Sequence, residues 1–178
     1  MKKALLHLNH ILIQSLIKQD DIVVDMTCGH GYDTELLAKF SKHVYAFDIQ
    51  LEALNSAKSR LNGLNNVTFI HDSFEHVNHY VKQASLYVFN LGYLPKGNKS
   101  ITTTKDVTLS TLTLLHETIM LGSQFIIMAY VGHDEGKNEY DAIHAYLISQ
   151  NDYQVYETKA LHHEHAPILI WIQKKDSI

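Results

Sequence analysis

Short apolar runs rich in β-branched and aromatic residues alternate along the chain with longer segments of helical periodicity. The runs predict strands and the longer segments predict helices, with an amphipathic helix before the first strand. The predicted strands are 22–25, 43–48, 67–70, 85–90 and 124–130. The predicted helices are 3–18, 32–40, 51–62, 107–121 and 138–150. This alternation is typical of an α/β domain with a mostly parallel sheet and helices on both faces.

The alternation of strands and helices ends near the C-terminus, where strands are predicted at 153–159 and 168–174 with only 160–167 between them. Because that gap cannot hold a crossover helix, the pair predicts an antiparallel hairpin at one side of the sheet. Seven strands ending in such a hairpin are typical of the Rossmann-like class I methyltransferase fold. A dinucleotide-binding dehydrogenase is expected to continue in parallel, which makes an NAD-dependent enzyme the weaker alternative.

Length and composition predict one domain over residues 1–178, because 178 residues suffice for a core without disulfides or metal. Cys28 is the only cysteine, so no internal disulfide forms and a cytoplasmic location is expected. No segment resembles a signal peptide or a membrane span. The formal net charge of -4 disfavours binding of nucleic acid by bulk charge, but a local patch or a dimer can still supply a basic surface.

A strand that runs into a glycine turn and then a helix, at 23–34, carries the strongest local signal for a cofactor. Gly29 and Gly31 allow a tight turn and close approach of a ligand to the backbone. A dinucleotide fingerprint needs a third glycine near Thr34, whereas S-adenosyl-L-methionine has no pyrophosphate to accommodate. Asp25 is placed to meet the amino-acid end of that cofactor, directly or through water. An ordinary strand-to-helix turn is the alternative interpretation. The predicted cofactor residues here are Asp25, Thr27, Cys28, Gly29, His30, Gly31, Asp33 and Thr34.

Acidic residues end the next two strands. Asp48, followed by Ile49 and Gln50, can accept hydrogen bonds from both ribose hydroxyls of an adenosine, although a helix cap is an alternative role. Asp72 can accept from the adenine amino group while Ser73 offers a neighbouring N–H, although simple turn chemistry also explains this pair. These five residues complete the predicted cofactor site together with Asn90.

Asn90 ends the fourth strand, and Tyr93 follows three residues later. The amide carbonyl of Asn90 can hold an amine with its lone pair aimed at the methyl group, and Tyr93 offers an aromatic wall. The pair partly resembles the Asn-Pro-Pro-Tyr motif of amino-directed methyltransferases, without the two prolines. His133, after the fifth strand, can help to remove a proton; a solvent-facing loop histidine is the alternative. The predicted catalytic residues are Asn90, Tyr93 and His133.

Four segments together resemble the YtqB family: 25–34, 47–50 and above all 89–95 with 99–103. The family contains MnmM enzymes, which methylate the amino group of 5-aminomethyl-2-thiouridine at the tRNA wobble position. The resemblance covers nearly the whole chain, and Asn-Leu-Gly-Tyr-Leu-Pro is its most distinctive segment. It implies an N-methyltransferase that uses S-adenosyl-L-methionine, binds the tRNA anticodon stem-loop without a separate RNA-binding domain, and forms a homodimer.

Lysines follow the acceptor motif and are interleaved with hydroxyl side chains. Lys96, Lys99 and Ser100, with Tyr93, are the predicted substrate-binding residues. Lys96, Lys99 and Lys105 are predicted to contact backbone phosphates, and a solvated loop is the alternative. The run 162–165 is rich in histidine but lacks helical metal spacing, so no metal is expected. Two further alternatives stay open: a methyltransferase for rRNA or a small molecule, and a non-catalytic module that binds the cofactor.

Overall fold

A seven-stranded sheet forms the centre of the protein, and the computed structural model describes residues 2–92 and 102–175. The strands are β1 Ile22–Asp25, β2 His43–Asp48, β3 Val67–His71, β4 Leu86–Leu91, β5 Gln124–Ala129, β6 Tyr153–Thr158 and β7 Ile168–Lys174. The helices are α1 Lys2–Leu16, α2 Tyr32–Phe40, α3 Leu51–Arg60, α4 Val77–Tyr80, α5 Lys105–Thr118 and α6 Asp134–Ser149, and a 3-10 turn, Phe74–His76, leads into α4.

The strand order is β3-β2-β1-β4-β5-β7-β6. Strands β1 to β5 are parallel, and β7 runs antiparallel between β5 and β6, with Phe125 opposite Ile172. The predicted fold class and the terminal hairpin are therefore confirmed. The order reverses between β1 and β4, and the loops that leave these two strands turn to opposite faces. In open α/β sheets, ligands bind in the crevice that this reversal creates at the carboxyl ends of the strands.

Alternating side chains along the central strands supply two cores, one on each face of the sheet. Val23 packs with α1 and α2, whereas its neighbour Val24 packs with α4, α5 and α6. The same alternation separates Val88 from Phe89. Because successive side chains of a strand point to opposite faces, both sides of each central strand are apolar and both are covered by helices.

The boundaries predicted from the sequence agree closely at 22–25, 32–40, 43–48 and 168–174. Helix α6 begins at Asp134 rather than at 138, because His133 caps its first turn. Helix α5 begins at Lys105, two residues before the predicted start, and α1 ends at Leu16 rather than at 18. The turn and helix at 74–80 were not predicted, since so short an element shows no readable periodicity.

In the part of the chain that the structure describes, no helix combines the length and the apolar character needed to cross a membrane.

Candidate active site

The glycine turn after β1 lies at the point where the strand order reverses, and the neighbouring strands fix its backbone. Met26 donates its N–H to the carbonyl of Val88 in β4 at 2.8 Å. Cys28 donates its N–H to the carbonyl of Phe47 in β2 at 2.8 Å. The turn is therefore held from both sides before any ligand is considered.

Gly31 is the position in this turn where a side chain is excluded. Its φ is +79°, a left-handed conformation that favours glycine. A Cβ atom there would lie 2.9 Å from the Cβ of Ala57 and 2.9 Å from Cδ1 of Leu61. Glycine at this position thus allows the start of α2 to pack closely against α3 and leaves the turn narrow.

Asp25 is fully buried at the end of β1. Its Oδ2 accepts a hydrogen bond from Thr34 Oγ1 at 2.6 Å, and its Oδ1 accepts one from the Thr27 N–H at 3.1 Å. Burial, followed by the charge of Asp33, raises the pKa of Asp25 to about 7. Asp25 has no exposed surface and accepts these bonds from groups of the turn, so it fixes the turn. Its predicted contact with the cofactor, directly or through water, stays a prediction.

Asp48 links the end of β2 to the same turn. Its Oδ2 accepts a hydrogen bond from the Gly29 N–H at 2.8 Å, and its Oδ1 accepts one from the Gln50 N–H at 2.8 Å. Burial raises the pKa of Asp48, and the two backbone donors oppose that rise. A carboxylate has about four acceptor positions, so Asp48 can accept further bonds from a diol. Ile49 beside it is 53% exposed, which leaves an apolar side chain available to a flat ring.

Asp72 is occupied by neighbouring protein groups. Its Oδ1 accepts from the Ser73 N–H at 2.8 Å and from His76 Nδ1 at 2.9 Å, and its Oδ2 accepts from the Tyr80 hydroxyl at 2.8 Å. The bond from His76 is the first cause that lowers the pKa of Asp72 to about 2. Ser73 in turn caps the 3-10 turn by accepting from the Glu75 N–H. Turn chemistry thus accounts for both residues, and their contact with adenine stays a prediction.

Asn90 reaches the glycine turn from the end of β4. Its backbone N–H donates to Thr27 Oγ1 at 2.7 Å, and its side-chain Nδ2 donates to Asp33 Oδ2. The other oxygen of Asp33 accepts from His10 Nε2 at 2.8 Å. The structure therefore places Asp33, which we had predicted to bind the cofactor, in contact with the residue predicted to hold the acceptor.

His10 is a member of this site that sequence reasoning missed. It comes from α1, 23 residues before Asp33, and its hydrogen bond to that carboxylate is the first cause that raises its pKa. A single histidine in an amphipathic helix gives no local signal of such a partner. Only the packing of α1 against α2 brings the two side chains together.

A second buried network lies where the chain leaves β4. Gly92 donates its N–H to Thr103 Oγ1 at 2.9 Å, and Thr103 returns a backbone bond to the Gly92 carbonyl at 3.2 Å. Glu139 of α6 accepts from the hydroxyls of Thr103 at 2.8 Å and Thr108 at 2.7 Å. Burial raises the pKa of Glu139. Sequence reasoning missed this residue as well, because a glutamate in a helix normally faces solvent.

The two hydrogen bonds between Gly92 and Thr103 join the parts of the chain that come before and after residues 93–101. Four predicted residues, Tyr93, Lys96, Lys99 and Ser100, lie outside the residues that the structure describes. Their roles stay predictions.

The remaining predicted residues have structural partners. His133 caps α6, because its Nδ1 accepts from the Gly136 N–H at 3.0 Å, and its role in proton removal stays a prediction. Cys28 is buried beside Thr34, and burial raises the pKa of its thiol. His30 Nδ1 lies 3.2 Å from Ser56 Oγ. Within the described ranges, no group of three or more metal-binding side chains is present.

Comparison with known proteins places the chain in a family. The family model described as "Putative rRNA methylase" matches residues 44–174. The chain belongs to this rRNA methylase family. A solved protein of the same description from Clostridium thermocellum is 33% identical, with a TM-score of 0.88 over 95% of this chain and 96% of that one.

Two further relatives extend this result. A methyltransferase of Streptococcus mutans, solved in complex with SAH, is 30% identical, with a TM-score of 0.86 over 95% of this chain and 97% of that one. A chloroplastic tRNA (mnm5s2U34)-methyltransferase of Arabidopsis thaliana is 29% identical across 99% of this chain and 71% of its own length. The methyltransferase assignment made from the YtqB family resemblance is confirmed.

Proposed function

We propose that this member of the rRNA methylase family transfers a methyl group from S-adenosyl-L-methionine to the amino group of 5-aminomethyl-2-thiouridine at the tRNA wobble position. The product is 5-methylaminomethyl-2-thiouridine. The observation that carries the proposal is the position of Asn90, whose amide is held at the glycine turn by Asp33. The similarity to the Arabidopsis tRNA methyltransferase over almost the whole chain favours tRNA as the substrate.

The turn fits the proposed cofactor at two places. Asp48 has acceptor capacity left for ribose hydroxyls, and exposed Ile49 can cover one face of an adenine ring. In its ionised form Asp25 favours a cation close to the turn, although burial raises its pKa to about 7. When bound, S-adenosyl-L-methionine supplies an electrophilic methyl group on a sulfonium sulfur. The solved Streptococcus mutans relative, which holds SAH, supports this choice of cofactor.

The acceptor must present a neutral amine, because a protonated amine has no lone pair. The Oδ1 of Asn90 is suited to accept an N–H bond from such an amine, which orients the nitrogen lone pair toward the methyl group. Since a primary aliphatic amine is already a good nucleophile, positioning and removal of water suffice and no strong base is required. We propose that Tyr93 forms an aromatic wall of this acceptor site.

The proposed partner is the tRNA anticodon stem-loop, bound by a homodimer in the cytoplasm. The acidic net charge of -4 supports a local contact surface rather than general attraction to RNA. We propose that Lys96, Lys99 and Ser100 contact the phosphate backbone. Exchange of both lysines for glutamate is expected to raise KM for tRNA with little effect on cofactor affinity.

Nucleoside mass spectrometry of bulk tRNA tests the proposal most directly. A strain without the gene is compared with strains that carry the wild-type gene or the Asn90→Ala variant. Loss of the methylated nucleoside and accumulation of 5-aminomethyl-2-thiouridine are expected in the deletion strain, with restoration only by the wild-type gene. An unchanged tRNA profile would refute the wobble assignment, and transfer of labelled methyl to rRNA or to a metabolite extract would then identify the substrate.

A further inference from the structure

We propose that His10 of α1 is a positioning residue for methyl transfer, acting through Asp33 to fix the orientation of the Asn90 amide. The inference rests on the proposed function and extends it to a residue outside the glycine turn and outside the acceptor motif. It concerns three side chains from three elements: α1, the first turn of α2 and the end of β4.

The hydrogen bonds divide the two oxygens of Asp33 between two partners. Oδ1 accepts from His10 Nε2 at 2.8 Å, and Oδ2 accepts from Asn90 Nδ2. The side chain of Asp33 is only 9% exposed, and that of His10 is 31% exposed. A carboxylate so poorly hydrated depends on protein donors for stability, and these two donors set its rotation.

The orientation of the Asn90 amide decides which chemistry that residue offers. With Nδ2 committed to a carboxylate, Oδ1 is the end left to accept an N–H bond from an amine. The reverse orientation would place Oδ1 against Asp33, oxygen against oxygen, and would present a donor to the amine. Among the described residues, the hydrogen bonds of this side chain involve Nδ2 and not Oδ1.

His10 supplies the hydrogen-bond donor to the second oxygen of Asp33. Without it, one oxygen of a nearly buried carboxylate loses its donor, and the side chain is free to rotate or to admit water. The bond also raises the pKa of His10, which favours the imidazolium and offsets the negative charge beside the acceptor site. That offset matters because an uncompensated carboxylate near the amine favours its protonated, unreactive form.

Four proteins test the inference: wild type, His10→Leu, His10→Gln and His7→Leu. Leucine removes the donor, whereas the Nε2 of glutamine can replace that of histidine. His7 lies one turn earlier in α1 and is exposed, so its exchange is the matched control. Each protein is assayed for kcat and KM with tRNA that carries 5-aminomethyl-2-thiouridine, and for SAH affinity by calorimetry.

The second readout does not depend on the substrate. The side-chain amide signals of Asn90 are followed by nitrogen-15 NMR, with assignment by their loss in Asn90→Asp. For His10→Leu we expect shifted, faster-exchanging Asn90 amide signals and a fall in kcat of about tenfold, with KM and SAH affinity unchanged. His10→Gln is expected to restore both the signals and most of kcat, and His7→Leu to match wild type.

Unchanged Asn90 signals in His10→Leu would overturn the inference whatever the substrate. Changed signals with an unchanged kcat would overturn its link to the reaction. A wild-type protein that fails to methylate this tRNA would instead refute the proposed function. The NMR comparison would still decide whether His10 fixes the orientation of the Asn90 amide.

Discussion

Thr34 donates its hydroxyl hydrogen to Asp25 across 2.6 Å in a part of the glycine turn that water does not reach. Neutral donors are the partners that the structure gives this carboxylate, and no ion pair to it occurs among the described residues. Burial, followed by the charge of Asp33, raises the pKa of Asp25 to about 7, and the two neutral donors oppose this rise only in part. The turn thus keeps a proton-binding site next to the position where a cationic ligand is proposed to bind.

This raised pKa predicts how Asp25→Asn changes the pH dependence of stability. The folded protein favours protonated Asp25, so the wild type loses stability as pH rises from about 4 to about 7, whereas the variant lacks this loss. Over that window the variant gains on the order of 4 kcal/mol relative to wild type. Urea unfolding of the ligand-free protein at several pH values measures the difference. Asp20→Asn, on the exposed turn before β1, is the control, and parallel wild-type and Asp25→Asn curves would contradict the prediction.

Gly31→Ala is expected to destabilise the protein and weaken cofactor binding. Gly122 has nearly the same φ, +82° against +79°, but a Cβ there meets no atom within 4 Å. Both alanines pay about 1 kcal/mol for the left-handed backbone, and only Gly31→Ala adds overpacking of about 1–3 kcal/mol against Ala57 and Leu61. Thermal unfolding and SAH titration of the two variants measure this contrast. Equal losses of stability would show that crowding at α3 is not the constraint.

Variants of the two threonines that bond to Glu139 are expected to lose similar stability but different amounts of activity. Thr103→Val and Thr108→Val each remove one donor to a buried carboxylate, at about 1–2 kcal/mol. Only Thr103 also bonds to Gly92, where the chain enters the segment that carries Tyr93. Methylation by Thr103→Val is therefore expected to fall well below that by Thr108→Val at matched folded fraction. Equal activities would remove the junction from any role in the acceptor site.

The Cys28 thiol is expected to be unreactive in the folded protein and to take no part in methyl transfer. Its thiol is 5% exposed, and burial raises its pKa, so the thiolate is scarce at neutral pH. Iodoacetamide should modify it only after unfolding in urea, as measured by intact-mass spectrometry. Cys28→Ser should retain methylation activity, because a serine hydroxyl can keep the contact with Thr34. A variant that binds SAH normally but transfers no methyl would identify Cys28 as part of the chemistry.

The position of the glycine turn between β1 and α2 could be predicted from the sequence because the signals are local. Asp25 and Asp48 each end a strand, and parallel strands bring their carboxyl ends to one edge. The sequence left both a ligand role and a local role open for Asp72 and His133. In the structure Asp72 accepts from the Ser73 N–H and His133 caps α6. A side chain near a helix start satisfies local N–H groups, and sequence alone does not tell a cap from a ligand.

The sequence by itself determined the succession of strands and helices along the chain, the terminal hairpin and the glycine turn, because apolar periodicity and turn residues act over a few positions. Only the tertiary structure decided that His10 meets Asp33, that Asp33 holds Asn90 rather than facing the turn alone, and that Glu139 is buried beneath Thr103. These contacts join residues 23, 57 and 36 positions apart. They depend on how α1, α2 and α6 pack on the sheet, and that packing is set by many weak contacts that no local pattern records.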